Sequence, residues 1–207
     1  LNLSGFQDIL TNIIFFFISI LIFIFSIGPN KEIISQVGIG IVWTLLLLSS
    51  TLSLRKFYQD DFENGNLIII HLNGLSFGFI AILKTLSHFF FVQIPFLLSI
   101  PIACVLLNIS NDKLIYLSAS FGIGSLILSC LGSISSSMNL MNQRNFLLGS
   151  VIVMIFSVPV IIFSVGIINM EENFNSLISI LFGILLIVFA INPWASGLCL
   201  KLSLENN

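Results

Sequence analysis

Few residues in this chain could do chemistry, and the densest group of them is one short stretch. Arg55, Lys56, Asp60, Asp61 and Glu63 are five of the sixteen charged residues among 207. They frame Phe57-Tyr58-Gln59 and are closed by Phe62 and Asn64-Gly65. Leu54, Phe57, Tyr58 and Phe62 recur at helical spacing, which predicts a short helix lying flat with one apolar stripe in a lipid–water interface. Gly65 suits the position just past such a helix. Basic residues first and acids last would oppose the helix dipole, at a few tenths to ~1 kcal/mol per charge. A basic surface on a soluble protein would offset that cost. A solvated loop is the bland reading; a docking element for a separate protein is the functional one.

Other polar groups lie within apolar surroundings. Lys84 and His88 are one helical turn apart and share a face. Lys84 can extend toward an interface, and His88, placed deeper, either bonds a neighbouring helix or faces a polar cavity or partner, a metal or haem ligand being the remaining alternative. Ser125, Ser129, Gly132 and Ser136 form a small-residue stripe suited to close helix packing, within the chain or against another subunit. Cys104, Cys130 and Cys199 are far apart and read as buried apolar residues. No catalytic arrangement is found: neither a phosphate-binding lysine loop nor a nucleophile–base pair, nor a metal-ligand spacing. The chain therefore reads as no enzyme, with no metal and no cofactor of its own. Any ATP hydrolysis belongs to another subunit.

The elements that must hold these groups are helices in lipid. Hydrophobic residues make up 57% and charged residues 8%, against roughly 25% charged in a typical globular domain. Mean hydropathy is +1.13. Apolar windows fall at 9–27, 37–54, 77–107, 114–136, 146–168 and 176–200, each close to or above the ~20 residues that cross a bilayer. Polar punctuation separates them, including Gly28-Pro29-Asn30 and Glu171-Glu172. The expected fold is an all-α membrane protein with six transmembrane helices forming one domain over 1–207. Residues 67–72 are expected at the interface, leading into one long third span kinked near Pro95 and Pro101. No cleavable signal peptide is expected, because the first apolar window has span length and no small-residue cleavage site.

Basic residues set the orientation. With both termini cytoplasmic, Arg55, Lys56, Lys84, Arg144 and Lys201 lie inside, and Lys31 and Lys113 outside. Seven dispersed basic residues do not make a nucleic-acid surface.

In order along the chain, the residues resemble the haem exporter protein B family (CcmB) of the cytochrome c maturation system. The resemblance is carried by Ser26-Ile27-Gly28-Pro29, Gly40-Ile41-Val42-Trp43 and Leu47-Leu48-Ser49-Ser50, and by the polar element from Leu54 to Gly65. Lys84-Thr85-Leu86-Ser87-His88, Ile94-Pro95 and Ser99-Ile100-Pro101 extend it. The Asp60-Asp61 signature is its most specific part. The turn Met141-Asn142-Gln143-Arg144-Asn145 lacks the glycines common in the family, and 67–71 lacks its acidic residues.

The resemblance implies an ABC-2-type permease-like subunit of an ABC complex in a bacterial inner membrane, a mitochondrial one being the lesser alternative. An interfacial coupling helix between spans 2 and 3 would meet the ATPase through Arg55, Lys56, Asp60, Asp61 and Glu63. Implied partners are that cytoplasmic ATPase, other cytochrome c maturation membrane proteins, a haem chaperone, the lipid bilayer and a second copy of the chain. Haem would be the cargo and ATP would act through the ATPase. Two other readings stay open: a permease for a lipid, glycan or drug, and a membrane scaffold without transport.

Overall fold

Six apolar stretches, each long enough to cross a bilayer, become six spans packed side by side. The computed structural model describes residues 3–28, 30–54, 57–141, 147–169 and 174–205. Expected positions Pro29, Arg55, Lys56, Arg144, Glu171 and Glu172 lie outside the described residues. Spans 1 and 2 are α1 (Leu3–Ile27) and α2 (Lys31–Leu54). Two short helices follow, α3 (Gln59–Glu63) and α4 (Asn66–Leu72). Span 3 joins α5 (Phe77–His88) to α6 (Ile94–Leu106). Spans 4, 5 and 6 are α7 (Asn111–Met141), α8 (Leu147–Asn169) and α9 (Phe174–Glu205). No strand occurs among the described residues.

The outside of the bundle suits hydrocarbon. Phe25, Leu98, Val105 and Trp194 are each at least 71% exposed, a pattern that would drive association in water but costs nothing in lipid. Inside, α7 is the central helix and packs most extensively on α9 and α8. One apolar cluster gathers α1, α2, α6 and the first half of α7 around Trp43, Phe96 and Phe121. A second gathers α5, α8, α9 and the rest of α7 with Tyr58 and Leu67.

Span 3 departs from a simple proline kink. The helix widens upstream of Pro95, over Phe89–Gln93, where the Ile94 N–H reaches back five residues to the Phe89 carbonyl. Pro95 then falls in the first turn of α6. The cause is local: Pro95 has no N–H to give the turn before it, and its ring crowds the carbonyl four residues back. One wide π turn relieves that crowding. Pro101 lies inside α6, which continues through it.

Glycines let α5 and α9 touch by their backbones. A Cβ on Gly197 would lie 2.9 Å from the Gly78 nitrogen, and one on Gly78 would lie 3.0 Å from the Pro193 carbonyl oxygen. No other residue type fits this crossing without pushing the helices apart.

Candidate functional site

The polar element folds differently from the flat amphipathic helix its spacing suggests. Phe57 and Tyr58 form a turn, and the helix begins only at Gln59. Asp60 and Asp61 therefore occupy the first turn of α3, where carboxylates favour the dipole. The expected dipole penalty is lifted for Asp60 and Asp61 because the helix starts later than the aromatic spacing implied, while Glu63 stays at its C-terminal end. Gly65, with φ +72°, takes the left-handed conformation that lets α4 start at once.

The aromatic pair turns into the protein rather than to lipid. Phe57 is 7% exposed and Tyr58 fully buried. The Phe57 ring lies against His88 with centroids 4.9 Å apart. Burial raises the Tyr58 pKa, so its phenol stays protonated and able to donate.

The three described acids divide by direction. Asp61 forms an ion pair with Lys84 of α5 and accepts from the Asn66 side chain at 3.3 Å. Asp60 and Glu63 are exposed, with Glu63 held by Gln59 Nε2 at 2.7 Å. One side of α3 thus seals the element to span 3, and the other offers two carboxylates to solution.

Beneath α3 lies a polar seam through the bundle. Tyr58 Oη is 2.7 Å from Ser133 Oγ on α7. Ser133 is 3.1 Å from Ser196 Oγ on α9, and Ser196 donates to Asn192 Oδ1 at 2.9 Å. Asn192 Nδ2 donates to Thr85 Oγ1 of α5 at 2.9 Å, and Thr85 donates to the Ala81 carbonyl at 2.8 Å. The glycine crossing brings α5 near enough to α9 for the Asn192–Thr85 bond.

His88 sits on a second branch. Its Nε2 is 2.9 Å from Ser53 Oγ on α2, and its Nδ1 is 3.0 Å from Ser129 Oγ on α7. Both hydroxyls also donate to carbonyls of their own helices, Ser53 to Ser50 and Ser129 to Ser125. A neutral imidazole donates from one nitrogen only, so one serine must turn its hydrogen from the backbone to the ring. Both ring nitrogens are engaged within the chain, leaving neither for an iron atom in this arrangement. Ser125, Ser129, Gly132 and Ser136 are all buried against the chain's own helices.

Sequence reasoning missed Tyr58, Ser133, Asn192, Ser196 and Thr85 as one connected set. Asn192 was the available signal, since a carboxamide inside an apolar span needs a partner.

These features define a polytopic membrane protein of six spans, with a folded acidic element between spans 2 and 3 pinned to the helices beneath it. A family model described as CcmB protein matches residues 2–203, and the chain belongs to the CcmB family. It is 28% identical to heme exporter protein B of Haemophilus influenzae, over 96% of this chain and 91% of that one. It is 27% identical to heme exporter protein B of Rhodobacter capsulatus, over 92% and 89%. With heme exporter protein B of Paracoccus denitrificans it shares 32% identity over 70% of this chain and 66% of the relative.

Proposed function

We propose that this chain is the membrane subunit of a haem-export ABC system serving c-type cytochrome biogenesis. It sits in a bacterial inner membrane with both termini cytoplasmic and works with other cytochrome c maturation proteins and a haem chaperone. The near full-length similarity to proteins named heme exporter protein B supports this reading. ATP is hydrolysed by a separate cytoplasmic subunit, which docks on α3 and on the preceding Arg55 and Lys56. The observation that carries the docking site is the division of α3: Asp60 and Glu63 face out, while Asp61 is tied to Lys84. Carboxylates held on a short, anchored helix suit a basic groove, and such contacts govern partner choice and association rate. His88 acts as an internal tie among α2, α5 and α7.

The test is charge reversal. Asp60→Lys with Glu63→Lys is expected to cut co-purification of the ATPase subunit at least tenfold and to remove c-type cytochromes from a haem-stained gel. Unchanged ATPase recovery would refute the docking role, and an unchanged cytochrome profile in a deletion strain would refute the haem function.

A further inference from the structure

The hydrogen-bond chain below α3 has only one consistent direction, and its last member fixes it. Thr85 spends its hydroxyl hydrogen on the Ala81 carbonyl, so it must accept from Asn192. That acceptance sets the carboxamide with nitrogen toward Thr85 and oxygen toward Ser196. Ser196 then spends its hydrogen on Asn192 Oδ1, so Ser133 must be the donor to Ser196. Ser133 has then no hydrogen left for Tyr58, and the Tyr58 phenol must donate to it. Each group gives one hydrogen forward, from the polar element through α7 and α9 to the backbone of α5. Tyr58 is the one member that lies outside the spanning helices, immediately before α3.

We propose that Tyr58 is the positioning residue through which displacement of α3 is passed to α7, α9 and α5, by way of Ser133, Ser196, Asn192 and Thr85. The proposal rests on the reading of α3 as the ATPase-docking element and adds the route by which docking is felt inside the membrane. The covalent route from α3 leads only into span 2, through Arg55 and Lys56, and into span 3 through α4. The Tyr58 bond adds the fourth and sixth spans, which share no chain connection with α3. Because the members are buried and each hydroxyl hydrogen is committed, a shift of the Tyr58 hydroxyl by an ångström cannot be absorbed by turning one serine. The next donor must follow, or a buried bond is lost.

The experiment uses the full complex with its ATPase subunit and compares Tyr58→Phe with Ser133→Ala and Ser133→Thr. Tyr58→Phe keeps the ring and its packing and removes only the donor. Hydrogen–deuterium exchange of α5 and α9 is read with and without a non-hydrolysable ATP analogue, beside ATPase co-purification and c-type cytochrome yield. Wild type and Ser133→Thr are expected to show nucleotide-dependent exchange changes in α5 and α9. Tyr58→Phe and Ser133→Ala should lose those changes and at least fivefold of cytochrome yield, with ATPase recovery within twofold of wild type. Retained exchange changes in Tyr58→Phe, no nucleotide response in wild type, or loss of the assembled complex in both variants would each overturn the proposal. The last outcome would make the bond a requirement of folding alone. The docking reading is judged separately by Asp60→Lys with Glu63→Lys. If that variant releases the ATPase while Tyr58→Phe behaves as wild type, only the route through Tyr58 fails.

Discussion

Two polar regions lie side by side in this bundle, and they are built on opposite terms. Around Asn192 every hydroxyl hydrogen has an acceptor, from Tyr58 to the Ala81 carbonyl, and the carboxamide nitrogen is bonded to Thr85. Around Gln93 the matching is incomplete. Ser50 donates to Gln93 Oε1 at 3.3 Å, while Gln93 Nε2 and Ser49 Oγ have no partner among the described residues. His88, one turn before Gln93, has two serines beside it, each placed between the ring and a backbone carbonyl. The unmatched region coincides with the π turn of span 3, and the matched one with the backbone contact of α5 and α9. Matched bonds hold one arrangement, whereas an unmatched group contributes no bond to the arrangement that contains it. The Asn192 region is thus the more tightly determined connection, and the Gln93 region leaves polar groups of span 3 unmatched.

The strongest challenge to that contrast is steric. Gly197→Val places carbon against the Gly78 backbone and is expected to cost about 3 kcal/mol, read as loss of the folded protein in a detergent melt. Wild-type stability would show that the α5–α9 contact is not close. Next, Asn192→Leu removes two buried bonds and is expected to cost about 1–2 kcal/mol, near the upper end for such bonds in membranes. Thr85→Val should be less than additive with it, as a shared bond requires. A smaller effect is expected for Lys84→Met, about 0.5 kcal/mol, because its pair with Asp61 is partly exposed. This variant also tests whether α3 stays seated, by protease sensitivity at Phe57–Phe62. Smallest of all, Gln93→Met should leave stability within about 0.5 kcal/mol of wild type or raise it, since loss of the long Ser50 bond is offset by removal of a donor that has no acceptor. If Gln93→Met costs more than Asn192→Leu, the contrast is wrong.

The span count was legible because bilayer thickness imposes a length that apolar windows reveal directly. The long third span was legible too, since Lys84–His88 offers no turn. Its π turn was not, because a proline announces a conflict without saying which neighbouring turn will yield. The aromatic spacing at Phe57, Tyr58 and Phe62 pointed to a longer helix with its stripe in the interface. The structure instead buries Phe57 and Tyr58 under helices far along the chain, which local periodicity cannot register. The serine stripe on α7 was visible as a packing face, but Ser133 lies one position off it and meets partners 63 and 75 residues away. Such pairings depend on crossing angles and on the Gly78–Gly197 approach, which no window of sequence contains.

That approach has a mechanical meaning. Two helices in backbone contact at one point can neither slide closer nor separate there without cost, so the easy motion left to them is rotation about a fulcrum. Thr85 lies seven residues from Gly78 and His88 ten, lever arms of about 10 and 15 Å. A 5° rocking of α5 would carry them about 0.9 and 1.3 Å, and Asn192 must follow Thr85 for their bond to survive. Such a pivot turns a small push at the membrane surface into a graded displacement that grows with depth.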